Sequence, residues 1–166
     1  MRKHDAEFAE FVGARGHRLQ QTAFLLCGDW HRAEDLVQTA LIKVYRAWPR
    51  IGEGSPEAYA RKVLARTVID ASRRFWRRER TVTEIPDIAG PEHGTDAALD
   101  MRRAIAALPS RQRAVVVLRY WEDLPVAEVA EVLGCSESTV KSQSAKGLAV
   151  LRQLVTEEHG MLEGHR

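Results

Sequence analysis

The sequence predicts an all-α protein built as two small helical domains joined by a flexible linker, and three observations carry that prediction. Apolar residues recur at steps of three and four through most of the chain, the spacing of helices that bury one stripe. No convincing alternation of apolar and polar residues marks a strand. Charge and composition also change abruptly near the middle. Residues 1–80 hold 16 Lys or Arg against 10 Asp or Glu, residues 81–96 hold four acids and no base, and residues 97–166 hold nine of each. The middle segment, TVTEIPDIAGPEHGTD, has two Pro and two Gly among its 16 residues and reads as the linker. A chain of 166 residues has the length for one ordinary domain or two small ones.

In the first half, DAEFAEFVGARGHRLQQTAFLLCG places Phe8, Phe11, Val12, Leu19, Ala23 and Leu26 at helical spacing, with Gly13 and Gly16 weakening the pattern. DWHRAEDLVQTALIKVYRAW follows, with Ala33, Leu36, Val37, Ala40, Leu41, Val44 and Trp48 as its buried stripe, and Pro49 is expected to stop it. PRIGEGSPEAY, with two Pro and two Gly, reads as a loop, and EAYARKVLARTVIDASRRFWRRER as a third long helix. After the linker, ALDMRRAIAAL and SRQRAVVVLRYW are helices separated by Pro109. Pro125 suits the first turn of VAEVAEVL, where a proline loses no helical hydrogen bond. Gly134 can take the left-handed conformation that ends that helix. Ser136 is placed to cap the last one, ESTVKSQSAKGLAVLRQLV. The expected boundaries are a first domain at 1–80, the linker at 81–96, a second domain at 97–155 and a flexible tail at 156–166.

Composition narrows the function. The chain is 45% hydrophobic and 29% charged, as soluble globular proteins are. Its aliphatic runs, such as VVVL at 115–118, fall far short of the ~20 residues that span a bilayer. MRKHDAEFAE lacks the apolar stretch of a secretory signal, so a cytoplasmic location is expected. Cys27 and Cys135 stand far apart, form no CxxC and are read as reduced thiols. The six histidines are scattered with no HExxH spacing, and no glycine loop is present to cradle phosphate. No cofactor or metal is expected, and an enzyme is the least supported class.

Residues 57–80 hold eight Lys or Arg against three acids. On a helical projection Ala60, Val63, Leu64, Thr67 and Ala71 form the core side, while Lys62, Arg66, Arg73 and Arg77 share a narrow arc with Asp70 among them. Ile69 and Trp76 flank that arc. Cations neutralise phosphates and a ring stacks on an unpaired base, so nucleic acid is the favoured partner; a solvated charged face is the other reading.

Two helices joined by the short turn GCS make a helix-turn-helix candidate. In the second, Val140, Ser144, Gly147, Leu148, Leu151, Leu154 and Val155 fall on one side, and Ser138, Ser142, Lys146, Ala149 and Gln153 on the other. Gln143 suits a bidentate contact to adenine, and Lys141 or Lys146 a contact to guanine or phosphate. Glu137 can accept from a cytosine amino group or simply complement the helix dipole. An ordinary helical hairpin with a solvated face would show the same division.

These residues resemble a known family. LPSRQRAVVVLRYWEDLPVAEVAEVLGCSESTVKSQSAKGLAVLR (108–152) resembles region 4 of sigma-70-type transcription initiation factors, DWHRAEDLVQTALIKVYRAW their region 2.2, and YARKVLARTVIDASRRFWRR their regions 2.3 and 2.4. The ordered set looks like an extracytoplasmic-function (ECF) sigma factor, the short class with domains 2 and 4 only. The resemblance implies a non-catalytic subunit that directs bacterial RNA polymerase core to promoters. Glu34, Asp35, Gln38 and Thr39 match the family's motif for docking on the clamp helices of the largest subunit. The loop PRIGEGSPEAY and the basic helix, through Lys62, Arg66, Ile69, Asp70, Arg73, Trp76 and Arg77, would recognise the minus-10 element and hold the melted non-template strand. Glu137, Ser138, Lys141, Ser142, Gln143 and Lys146 would read the minus-35 element as duplex. The acidic linker would run near the active-site channel and the RNA exit path. An anti-sigma factor is a further implied partner.

Two departures limit the transfer. Arg66 stands where many members have Asn, so the usual base contact is not assigned there. TVKSQ replaces the frequent TVKSR, and Lys146 and Gly147 stand where Arg and Ala are frequent, so the preferred promoter sequence is not carried over. A stand-alone helix-turn-helix regulator would account for residues 97–155 but leave the basic helix and the AEDLVQT face without a role.

Overall fold

Amphipathic periodicity becomes seven α-helices and one π-helical turn, and among the described residues every regular element is helical. The computed structural model describes residues 2–51, 54–76 and 96–163. Contacts divide the chain into two units, residues 1–80 and 81–166. The expected linker, apart from Asp96, lies outside the described residues.

The first unit is three helices, α1 (Lys3–Cys27), α2 (Trp30–Ile51) and α3 (Pro56–Trp76), each packed against the other two. Leu19, Ala23, Phe24 and Leu26 of α1 meet Ala33, Val37, Ala40, Val44 and Ala47 of α2 and Ala60, Leu64, Ala65, Val68 and Ile69 of α3 in the buried core. Neither Gly13 nor Gly16 breaks α1. Gly28, at φ 75°, closes the helix in the left-handed region, its N–H donating to Phe24 O at 2.8 Å. Asp29 then caps α2 by accepting from the Arg32 N–H at 3.0 Å, and Ser55 caps α3 by accepting from Ala58 N–H at 3.2 Å; such caps contribute about 1 kcal/mol each. Phe8 and Phe11 pack on Trp48 with ring centroids 5.4 Å apart in both pairs, pinning the start of α1 to the end of α2.

Pro49 does not stop α2, which continues over it to Ile51. A proline in the final turn removes one backbone donor, and the turn beyond it still forms. Of the loop expected at 49–59, α2 therefore takes residues 49–51 and α3 residues 56–59.

The second unit comprises α4 (Asp96–Ala107), α5 (Ser110–Val116), a π-helical turn (Val117–Trp121), α6 (Val126–Leu133) and α7 (Glu137–Glu163). Arg113 closes α4 from outside by donating through Nη2 to Ala106 O and Leu108 O, both at 3.2 Å. The helix predicted over 110–121 does not run straight through. Glu122 N–H donates to Val117 O and Leu124 N–H to Leu118 O, a widened closure completed by Asp123 at φ 53°. Aspartate tolerates that left-handed position better than most side chains.

Pro125 sits just ahead of the first turn of α6 rather than within it, its carbonyl accepting from Val129 N–H at 3.0 Å. Gly134 is left-handed at φ 66°, and Ser136 Oγ accepts from Thr139 N–H at 3.1 Å, as expected for a helix stop followed by a cap. The α7 backbone is helical to Glu163, beyond the end expected for the second domain at 155. No residue from 156 to 159 is a proline or glycine, so nothing in that stretch ends the helix.

At Gly147, α7 comes against α5. A Cβ added there would lie 2.7 Å from Val116 Cγ2 and 3.5 Å from Gln112 Cβ, and the Val116 side chain is itself buried. Overpacking of this kind costs about 1–3 kcal/mol, while alanine's helix propensity returns about 1 kcal/mol. G147A is therefore expected to lose about 1 kcal/mol in urea unfolding. V116A should cost less in the G147A background than alone; equal costs in the two backgrounds would show that the pair does not touch.

Candidate nucleic-acid and partner interfaces

On α2 the residues between the buried stripe point outward. Glu34, Asp35, Gln38 and Thr39 are all exposed, while Ala33, Val37 and Ala40 are buried behind them. Thr39 Oγ1 donates to Asp35 O at 3.0 Å, leaving its lone pairs available as acceptors. Sequence projection did not identify that this acidic and amide-bearing face continues into apolar surface. Ile42 is 54% exposed and Tyr45 45% exposed. The Tyr45 hydroxyl donates to Asp5 Oδ1 at 2.6 Å, and that hydrogen bond, with the carboxylate's charge, holds the phenol above its ordinary pKa of 10.0.

The α3 face is more mixed than projected. Arg66, Asp70 and Arg73 are exposed and Lys62 is half-buried. Arg73 Nη1 lies 4.0 Å from Asp70 Oδ1, so the aspartate sits within the cationic row as expected. Ile69 does not flank that row. It is 1% exposed, inside the core, and cannot touch a base. The cause is geometric: α3 packs on both α1 and α2, so its buried arc widens to include Ala65, Val68, Ile69 and Ser72 beyond the stripe read from sequence. The α3 backbone reaches Trp76, but the Trp76 side chain and all of Arg77 lie outside the described residues.

Two polar contacts tie α3 to α2 behind this face. Lys43 Nζ donates to Thr67 Oγ1 at 3.2 Å, while Thr67 Oγ1 donates to Val63 O at 2.8 Å. Arg32 Nη2 donates to Ala71 O at 3.4 Å. Between the end of α2 and the start of α3 lies an open cleft of about 410 Å³, lined by Ala47, Arg50, Ile51, Gly54, Ser55 and Tyr59. Its lining combines an aromatic ring, a guanidinium and a hydroxyl.

On α7 the division is as projected. Glu137, Ser138, Lys141, Ser142 and Lys146 are exposed and Gln143 is half-buried at the edge. Val140, Ser144 and Gly147 face inward. Tyr120, which the sequence reading left unassigned, lies 50% exposed beside α7, with its hydroxyl 3.0 Å from Ser144 Oγ. Among the described residues, no group of three or more His, Cys, Asp or Glu is placed to hold a metal ion, and no helix is long and apolar enough to cross a membrane.

A three-helix unit with a carboxylate-rich face and a cationic helix, followed by a helical unit ending in a helix-turn-helix, is the arrangement of a transcription initiation factor. Residues 11–78 match the family described as Sigma-70 region 2, and residues 98–151 match Sigma-70, region 4. The RNA polymerase sigma-E factor of Streptomyces coelicolor is 37% identical over 155 residues, covering 89% of this chain and 85% of that protein. The ECF RNA polymerase sigma factor SigL of Mycobacterium tuberculosis is 33% identical over 147 residues, covering 84% and 83%. The chain belongs to the sigma-70 family of RNA polymerase sigma factors, in the ECF class. The solved structure of the sigma factor RpoE in complex with the anti-sigma factor NepR from Bartonella quintana shares the fold, with a TM-score of 0.69 at 22% identity over 90% of this chain and 97% of that one.

The burial of Ile69 separates a core role from a contact role. I69A is expected to destabilise the chain by about 2–5 kcal/mol in chemical denaturation, as a buried large-to-small change does. An I69A chain with unchanged stability but impaired promoter binding would return Ile69 to the interface.

Proposed function

We propose that this chain binds bacterial RNA polymerase core through the outer face of α2 and directs initiation at promoters with two spaced elements. Residues 1–80 act as region 2, residues 81–96 as the linker and residues 97–155 as region 4. Glu34, Asp35, Gln38 and Thr39 meet the clamp helices of the largest subunit, where carboxylates and an amide suit arginines on a partner helix. Lys62, Arg66, Arg73 and Arg77 follow the phosphates of the melted minus-10 strand while the Trp76 ring stacks on an unpaired base, and Asp70 keeps Arg73 in place. The cleft between α2 and α3 takes an extruded base, which lowers the cost of separating the strands. Glu137, Ser138, Lys141, Ser142, Gln143 and Lys146 enter the major groove of the minus-35 duplex.

The single observation that carries this reading is the outward array at the start of α7, with Val140, Ser144 and Gly147 turned inward beneath it. The chain performs no chemistry of its own, needs no cofactor and works in the cytoplasm beside the polymerase. An anti-sigma factor that covers the α2 or α7 face would hold it inactive, and the structural relative from Bartonella quintana is in complex with a partner of that kind.

Run-off transcription by purified core polymerase from a promoter library tests the proposal. Transcripts that depend on this chain, from templates sharing two spaced elements, are expected. Tight duplex binding by the chain alone, with no stimulation of polymerase, would favour a stand-alone regulator. Charge reversal at Asp35 should weaken core binding at least about tenfold, equivalent to ~1.4 kcal/mol, while leaving the fold intact because the side chain is exposed. R73E should weaken promoter opening and lower the salt slope by roughly one, as the loss of one phosphate contact does. A Gln143 substitution should instead change the preferred base in the minus-35 element without altering core affinity.

A further inference from the structure

We propose that Tyr120 is a positioning residue for base recognition by α7, acting through Ser144; the inference rests on the reading of α7 as the helix that enters duplex promoter DNA. The π-helical turn Val117–Trp121 carries the Tyr120 ring to the surface while Val117 and Leu118 remain buried. A ring left 50% exposed gains only part of the burial energy available to it. Its hydroxyl makes a specific contact, at 3.0 Å from Ser144 Oγ and 24 residues away in sequence.

Ser144 follows Gln143 and lies three residues beyond Lys141, so a bond to its side chain restrains the part of α7 that displays those groups. The neighbouring residue secures the other helix of the motif. Arg119 Nη1 donates to Leu124 O at 2.8 Å, just ahead of Pro125 and α6, and its guanidinium carbon sits 5.7 Å from the centroid of the Tyr120 ring. One turn therefore holds the approach to α6 through Arg119 and the roll of α7 through Tyr120.

Helix roll matters because base reading is intolerant of displacement. A helix with its side chains has a radius of about 5–6 Å, so a roll of about 10° moves a side-chain tip by about 1 Å. Hydrogen bonds to base edges span only about half an ångström in length, from ~2.7 to ~3.2 Å. Phosphate contacts by lysine, whose ammonium is a flexible point charge, survive such a shift. Loss of the Tyr120 bond should accordingly blur base preference more than it weakens attraction to DNA.

The test uses the full chain assembled with core polymerase and a promoter library randomised across the minus-35 element. Y120F keeps the ring and removes only the hydroxyl, and the orphaned Ser144 can turn to its own helix backbone. Y120F should lower discrimination between the preferred element and its single-base variants by about three- to tenfold, the range of one net hydrogen bond. Transcription from weak elements should persist. Adding S144A to Y120F should cost no further discrimination, since both changes remove the same bond. A wild-type preference spectrum in Y120F, or a uniform loss across all elements, would overturn the positioning role. A wild-type chain with no preference at any minus-35 position would overturn the reading of α7 itself, and this inference with it.

Discussion

Helices that must each bury one side and present the other have little width to spare, and close approach through small side chains meets that constraint in both units. Ala23, Ala33, Ala40, Ala47, Ala60 and Ala65 line the contacts of α1, α2 and α3, and Ala104, Ala114, Ala130 and Gly147 do so in the second unit. A small residue lets two backbones approach until larger neighbours such as Leu64 or Val116 interdigitate, which keeps packing dense in a unit of about 80 residues. Broad polar faces then remain free. The side of α2 that carries Glu34 and Asp35 is available to a partner because alanine and valine suffice on the opposite side.

Much of this was legible in the sequence, for physical reasons specific to each element. The two sides of α7 separate correctly because its small and apolar residues recur at steps of three and four from Val140 to Leu154, so a period of 3.6 residues describes it well although α4, α5 and α6 all pack on it. Gly134 and Ser136 declared their turn and cap through backbone chemistry that few other residues supply. Ile69 was misplaced because α3 touches two neighbours and its buried arc is wider than any one stripe. Pro49 does not end α2 because a proline near a helix end costs only what the last turn can spare. The π-helical turn has no pattern of its own: VVVLRYW reads as continuous helix, and the widening shows only in the backbone, in the bond from Glu122 N–H to Val117 O and the positive φ of Asp123. Tyr120 was invisible for the same reason, as its place beside Ser144 depends on that widening.

The charge pattern also takes on meaning once the faces are known. The positive excess of the first half is expressed on α3 as a row of cations with one carboxylate among them, rather than as a uniformly basic surface. A mixed row attracts phosphate less strongly than a purely basic one. The α7 face instead offers two lysines among serines and an amide, a composition with more capacity for hydrogen-bond discrimination than for bulk attraction. On the proposed reading, attraction and discrimination fall on different helices.

The close approach at Gly147 constrains how this chain can diverge. Positions 116 and 147 share one small volume, so neither drifts alone: a lineage that gains a methyl at 147 must give up volume at 116 or move the helix. Moving the helix would reorient every side chain that α7 displays. On the proposed reading of α7, a change of promoter preference can therefore arise from positions 116 and 147 with no change on the displayed face, and its history would be written as paired substitutions beneath that helix.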